Sequence, residues 1–546
     1  MTFRKKALLA GLAGVLVLGA VYLYLHAGAT ALSVAPVASA IPAPIHHPVA
    51  QARHARPING IFSEDIPAFA SAVRNAEKQS DPLQRCLAYP DPPGSHWTHD
   101  AVVAYCHYRF QPTISFGEVK DLIEQGKTAE LDRRMDEALH AQMTQPDARG
   151  QLDHIFINAF DDGSFATREL LDAWKRGSPN SAYAYAASGY AYVAMAHEQR
   201  GGKFARDTSQ DKMDAMGRLL RQADADLRHA ISLNPRITPV YVAMIHAAGL
   251  AFGEGYARQA IALGLRVDPA NWSIYAQMMW LMQPQWFGSL ETMQRVADAA
   301  VKHANQNPLL WIEKNAVAQY QANAGGCDCA PPPQAFNFPS ALDELANSRE
   351  LAVVGRTAAD QGAASMAVVY LSEAMRFETK TERLRQQRVA QLALVGERQM
   401  AMDEANKLIA EAPKDAGNYQ ARGYAYVYTG DTRRGVQDLE TALAINPDDD
   451  EVLGMLGNIY TNQTHEWDKA WDIADRIIRK YPDSPGGWVI RATIQENQPR
   501  VGLQDTYQYF LAHFSNDPRM KWQIDHMHEL LTQAGSASSA QPISAK

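Results

Sequence analysis

Between residues 416 and 449, apolar and small side chains recur at alternating steps of four and three. Tyr419, Gly423 and Tyr426 mark one stripe, and Gly435, Leu439 and Ala442 mark a second. Steps of that size keep side chains on one face of an α-helix, so each stripe predicts an amphipathic helix. Thr429-Gly430-Asp431 separates the stripes and supplies a natural turn, while Pro447 stops the second helix. The unit is therefore a pair of antiparallel helices.

The same order of residues returns along the chain. Leu453, Leu456, Gly457 and Tyr460 are followed by Ala470, Ala474 and Pro482 after a one-residue insertion. Upstream, Tyr241 is followed by Ala257, Ile261, Gly264 and Pro269, and Ala401, Ala405 and Leu408 precede Pro413. Tyr185, Gly189 and Tyr192 open another unit, but its second stripe, Ala223, Leu227 and Ala230 before Pro235, arrives 22 residues late. The delay covers His197 to Leu219 and contains Arg200-Gly201-Gly202. The prolines form a ruler: Pro235 to Pro269 and Pro413 to Pro447 are both 34 residues, with 39 to Pro308, 35 to Pro482 and 36 to Pro518. With degenerate pairs near 117–145, 290–325 and 485–518, roughly eight or nine units are expected.

Two antiparallel helices cross closely only where both present small side chains, which sets Gly423 against Gly435 and Gly457 against Ala470. Large residues at the fourth, eleventh and twenty-fourth positions of the unit fill the space around that crossing. This pattern resembles the tetratricopeptide repeat, and the resemblance implies an all-α fold, an α-solenoid of stacked helix pairs. Residues 117 to about 310 also resemble a narrower bacterial family, the domain of unknown function 4034. That resemblance rests on Leu122-Ile123-Glu124-Gln125-Gly126, Leu170-Leu171-Asp172-Ala173-Trp174, Ser178-Pro179-Asn180-Ser181-Ala182, the Arg200-Gly201-Gly202 insertion, and Pro284-Gln285-Trp286-Phe287-Gly288-Ser289. It implies helical repeats and no particular activity. Trp286 is expected to wedge an irregular turn, with Ser289 capping the next helix.

The first residues follow a different pattern. Arg4, Lys5 and Lys6 precede an uncharged apolar run from Ala7 to Leu25, 19 residues long, with Tyr22 and Tyr24 near its end. That length approaches the ~20 residues of a membrane-spanning helix, and the basic cluster orients the rest of the chain outward. The reading is an N-terminal transmembrane helix in a bacterial inner membrane with the body in the periplasm. A cleaved signal peptide is the alternative, since Ala29-Thr30-Ala31 and Ala38-Ser39-Ala40 have the small-x-small form. The chain then divides into the basic stub and anchor (1–25), a Pro/Ala-rich linker (26–57) and an N-terminal cap (58–115). A degenerate repeat block (116–325), a Cys/Pro-rich connector (326–350), a C-terminal repeat block (351–533) and a disordered tail (534–546) follow.

Net charge is −8 over 546 residues with no basic stripe, which argues against nucleic-acid binding. An exported chain with four cysteines is expected to pair them: Cys86 with Cys106 around a Pro-rich loop, and Cys327 with Cys329 locally. The alternatives are metal or redox chemistry around Cys86, His96, His99, Cys106 and His107, and reduced thiols at Cys327 and Cys329. No nucleophile elbow, metalloprotease helix or dinucleotide fingerprint is present, and no cofactor is implied. Asp161-Asp162-Gly163-Ser164 lacks the glutamate of a calcium loop.

Binding remains. In tetratricopeptide arrays the inner groove is lined by the first helix of each unit, and the resemblance carries that face onto Tyr183, Tyr190 and His246 upstream and onto Gln420, Tyr424, Tyr428, Asn458 and Asn462 downstream. Amide and tyrosine side chains suit an extended peptide, whose backbone needs hydrogen-bond partners and whose side chains need flat apolar contacts. The expected function is a non-enzymatic scaffold for a protein or peptide partner. Stacking of the repeats on a second copy, as a homo-oligomer, is a further possibility.

Overall fold

The computed structural model describes residues 60–322, 337–378, 380–482, 484–518 and 520–539. The expected anchor (1–25) and linker (26–57) lie outside these residues, as do Cys327 and Cys329. Among the described residues every regular element is helical, and no helix is long and apolar enough to cross a membrane.

Three helices come first: α1 (Ile66–Ala76), α2 (Pro82–Ala88) and α3 (His99–Phe110). Five pairs follow. They are α4 (Phe116–Glu124) with α5 (Thr128–Thr144), α6 (Gln151–Phe160) with α7 (Phe165–Gly177), and α8 (Ala182–Arg200) with α9 (Gln210–Leu233). Next are α10 (Thr238–Ala247) with α11 (Gly253–Val267), and α12 (Trp272–Leu281) with α13 (Leu290–Val301). A 3₁₀ segment (Pro308–Glu313) and the short α14 (Ala316–Ala322) and α15 (Phe338–Ala341) lead to the second block. That block pairs α16 (Ser348–Asp360) with α17 (Ala364–Arg376), α18 (Glu382–Leu394) with α19 (Arg398–Glu411), and α20 (Ala416–Tyr428) with α21 (Thr432–Ile445). It continues with α22 (Asp450–Asn462) and α23 (Trp467–Lys480), then α24 (Pro485–Asn497) and α25 (Leu503–Phe514), and closes on α26 (Lys521–Ser539).

First helices of the second block begin at Ser348, Glu382, Ala416, Asp450 and Pro485, a repeat of 34, 34, 34 and 35 residues. Three of the chain reversals share one construction. Proline ends a helix and leaves its carbonyl without a helical donor. An aromatic residue six positions later takes that carbonyl: Tyr241 donates to Pro235 at 2.8 Å, Tyr419 to Pro413 at 3.1 Å and the Trp488 indole to Pro482 at 3.0 Å. The proline spacing and the aromatic at the fourth position are thus two ends of one hydrogen bond. Asn271, Asn347 and Asp449 then cap the next first helix through their side-chain oxygens.

Within a unit the two helices touch across glycine. A Cβ on Gly423 would stand 2.8 Å from Leu439 and 3.2 Å from the Gly435 carbonyl, and one on Gly435 would stand 3.0 Å from the Gly423 carbonyl. Gly355 meets Leu371 and Gly189 meets Leu227 in the same way. Gly457 departs from expectation: its open side is filled by Ile490 of the following unit and by Ile473, not by Ala470. The 22-residue delay after Gly189 is not a loose loop. It lengthens α8 and α9 past the ordinary turn, so that only residues 201–209 lie between them. Trp286 packs against Trp280, ring centroids 4.5 Å apart, and Ser289 caps α13.

The segment expected as an N-terminal cap does not sit at the end of the array. Residues 62–108 share one hydrophobic core with 309–312 and with 338–425, so the segment fills the break between the two blocks. Tyr108 stacks on His154 (4.5 Å) and meets Trp272 edge-on (4.9 Å) in the first block, while Tyr105 packs on Phe377 (4.6 Å) in the second. Trp97 donates its indole N–H to the Leu342 carbonyl at 2.9 Å. The buried Cys86–Cys106 disulfide ties α2 to α3 within this wedge. At the other end, α26 runs past Gln533 to Ser539, into the stretch expected as a disordered tail, because its Ala and Ser residues do not break a helix.

Two outcomes test this packing. Gly435→Ala should cost about 1–3 kcal/mol through overpacking, whereas Gly454→Ala, with nothing within 4 Å of the new methyl, should stabilise by about 0.5–1 kcal/mol; urea unfolding reads both. Cys86→Ser with Cys106→Ser should cost about 3 kcal/mol and open the wedge to protease before either repeat block is cut.

Candidate binding groove

First helices touch the first helices of neighbouring units: α10 meets α12, α18 meets α20 and α22 meets α24. Second helices of the C-terminal block make no comparable contact with one another. The first helices therefore form the inner, closer-packed side of the array. On this side α20 presents Gln420, Tyr424 and Tyr428, and α22 presents Asn458 and Asn462. Tyr428 is 40% exposed, and Asn458 and Asn462 are open to solvent. Gln420 reaches across to Glu451 at 3.0 Å and towards the Tyr424 hydroxyl at 3.4 Å, and the Tyr424 and Tyr428 rings lie 6.2 Å apart. Burial pushes both phenols above their ordinary pKa, so they stay protonated and can donate. Leu394, 49% exposed, ends α18, the preceding first helix, which packs on α20.

The upstream residues are placed differently. Tyr183 is buried and donates to Asp136 at 2.9 Å. Tyr190 is buried with its ring edge-on to Phe156. His246 accepts or donates at 2.9 Å to His197, packs against Trp280, and has its pKa lowered to about 4 by burial and then by His197. Their side chains are spent inside the first block. The reason is legible in α8 and α10 themselves, whose faces are apolar or small nearly all round, the pattern of a helix buried on every side.

A second regularity was missed by sequence reasoning. Arg422 on α20 makes a bidentate pair with Asp438 on α21 (2.7 and 2.8 Å), and Arg388 on α18 pairs with Glu404 on α19 (3.0 and 2.7 Å). Both pairs lie 16 residues apart, the separation that also sets Gly423 against Leu439. An Arg one residue before the crossing position, with an acid 16 further on, is the signal that would have found them. Arg388 is only 1% exposed and takes a second carboxylate, Glu77 just past the end of α1, at 2.8 Å.

The expected alternatives to binding can be placed as well. Cys86 and Cys106 are joined to each other, so neither is a thiolate ligand, and His96 faces Asp343 at 2.7 Å. Among the described residues no three His, Cys, Asp or Glu side chains converge as a metal site. Asp162 accepts from Ser164 and Thr167 at the start of α7, which makes its loop a helix cap.

Two buried carboxyls form no ion pair among the described residues. Glu313 is buried where the 3₁₀ segment meets α12; burial pushes its pKa from 4.5 up to about 7, and the Trp272 indole N–H, donating at 2.9 Å, opposes this only in part. Asp153, held by Thr238, Asn271 and Gln142, is likewise pushed by burial up to about 7.

No protein-family model and no characterised protein sequence matches the chain, and the narrower resemblance over 117–310 gains no support from them. Among solved structures, the chain is similar to the Cut9–Hcn1 hetero-tetramer of the APC/C, at 11% identity over 86% of this chain and 96% of that one, with a TM-score of 0.31. It is also similar to yeast Tom70, at 12% identity over 89% and 96%, with a TM-score of 0.32. Scores this low say nothing of shared function. The assignment to a tetratricopeptide-like α-solenoid rests on the 34-residue helix pairs and their glycine crossings.

For an acid whose folded pKa is raised, the native state holds a proton that the unfolded chain releases, so its stability falls as pH rises through the window between the two values. Glu313→Gln should therefore be near neutral at pH 4.5 and gain on the wild type as pH rises to about 7, in paired thermal melts.

Proposed function

We propose that this chain is a non-enzymatic scaffold that holds an extended segment of a protein partner along the inner face of its C-terminal block. The observation that carries this reading is the row of hydrogen-bonding and aromatic side chains on evenly spaced first helices, with Tyr428, Asn458 and Asn462 exposed and Gln420 half-buried beside them. Amides offer both donor and acceptor to a peptide backbone, and Tyr428 and Leu394 each offer apolar surface. The upstream block, whose corresponding residues are buried, serves as support.

The proposal includes attachment to a bacterial inner membrane with the body in the periplasm. Arg4-Lys5-Lys6 before the apolar run 7–25 supports the anchor and its direction. The Cys86–Cys106 disulfide supports an oxidising compartment.

The test of the groove is a peptide-library selection on the full chain. Selected peptides should bind at least about tenfold more weakly to Tyr424→Ala with Tyr428→Ala, a loss of ~1.4 kcal/mol or more, and should be unaffected by Arg258→Gln on α11. Peptides indifferent to the tyrosines would sink the proposal. Attachment is read separately, by whether the chain stays with the membrane pellet after alkaline washing.

A further inference from the structure

The seam between the wedge and the second block encloses a cleft of about 470 Å³. Its walls come from α1 and α2 on one side and from α18 and α19 on the other. Five cationic side chains converge there: Arg74, Lys78 and Arg85 from the wedge, Arg385 and Lys407 from the repeats.

Three carboxylates share these walls with the cations, and two of them are turned towards Arg388. Glu77 accepts from the Tyr89 hydroxyl at 2.7 Å and from buried Arg388 at 2.8 Å. Glu404 accepts from Arg388 through both oxygens. Asp403 accepts from Gln399 at 2.8 Å. Arg388, 1% exposed, stands between Glu77 and Glu404 and offsets one of their two negative charges, so the five cations still outnumber the anionic charge of the walls.

The cations keep donors in hand. A guanidinium has five N–H groups. Arg74 spends one on Glu397 (3.2 Å), and Arg85 spends one on the Glu378 carbonyl (3.1 Å). The Nε atoms of both are buried without an acceptor. Lys407 has a carboxylate, Glu411, no nearer than 3.9 Å, and Lys78 donates only to the neutral Asn75 at 2.9 Å. Arg385 is the exception, held by Glu411 at 2.6 Å and by Glu404 at 3.5 Å.

We propose that this cleft binds a small oxyanion, a phosphate ester or a polycarboxylate, gripped from both sides by Arg74, Arg85, Lys78 and Lys407. The cleft volume falls within the ~300–1,000 Å³ of small-molecule sites, and guanidinium forks match either oxyanion bidentately. Because the donors come from two parts of the chain, occupancy also fastens the wedge to the repeats. This site is separate from the inner groove and does not depend on it.

The experiment is calorimetric titration of the full chain with inorganic phosphate and, separately, with citrate. Saturable one-to-one binding of at least one anion is expected. Arg74→Gln with Arg85→Gln should weaken it about tenfold or more, ~1.4 kcal/mol. Lys78→Gln with Lys407→Gln, which removes no buried contact, should weaken it by a smaller factor and guards against a fold defect in the arginine variant. Lys120→Gln on α4 should leave it unchanged. Phosphate alone binding assigns the cleft to a phosphate group, citrate alone to a polycarboxylate, and both to the shared oxyanion chemistry. Absence of saturable binding with either anion, or equal affinity in wild type and both cleft variants, overturns the proposal.

Discussion

Two helices can lie against each other along their length only where no side chain stands between their backbones. In this molecule that condition is met by glycine, at Gly189, Gly355 and Gly423 on first helices and at Gly435 on a second. Leu227, Leu371 and Leu439 then close over the gap. Everything regular about the array follows from this approach. It fixes how far the second helix lies from the first, and so where the proline must fall to turn the chain back. It also brings Arg422, beside Gly423, close enough to grip Asp438, and the same register, with Val389 in place of the glycine, sets Arg388 against Glu404. Such pairs, part-buried or buried, add geometric definition more than net stability.

The break between the blocks obeys another logic. A solenoid buries each unit against its neighbours, so an interruption leaves two open faces. Here the faces are closed by the first described residues, which supply aromatic rings to both sides. Charges come with them. Arg376, 2% exposed, donates to the Cys86 carbonyl at 2.9 Å and to Asp91 at 2.8 Å, and Arg388 takes Glu77. Removing one partner of such a buried pair is far costlier than the pair is worth. The second block therefore carries guanidinium groups that are satisfied only with the wedge in place.

Much of this fold was legible from spacing alone. The 34-residue period, the helix pairs, the Gly423–Gly435 crossing and the capping of α13 by Ser289 all depend on residues near one another in sequence. What was not legible depends on distant parts. Nothing local says that residues 62–108 lie between the blocks, since their partners are hundreds of positions away. The exposure of the candidate groove residues divides on the same principle. At Gln420, Tyr428, Asn458 and Asn462 the register of the unit suffices, because only regular neighbours surround them. At Tyr183, Tyr190 and His246 the register is right, but additional packing covers the face. Gly457 shows the limit within a unit: the gap beside it is filled by Ile490, from a unit further on.

The wedge also carries a clock. Its contacts with the second block span 290 residues for Arg376 to Cys86 and 311 for Arg388 to Glu77. At ~5–20 residues per second, the ribosome delivers those partners on the order of tens of seconds after the wedge itself. The first block can fold behind it in that time, pair by pair. The disulfide, closing a separation of only 20 residues, needs none of the later chain. The earliest segment can thus be stapled into shape and then wait, with Glu77 and the Cys86 carbonyl unclaimed, until the last-made half of the protein arrives to be joined to the first.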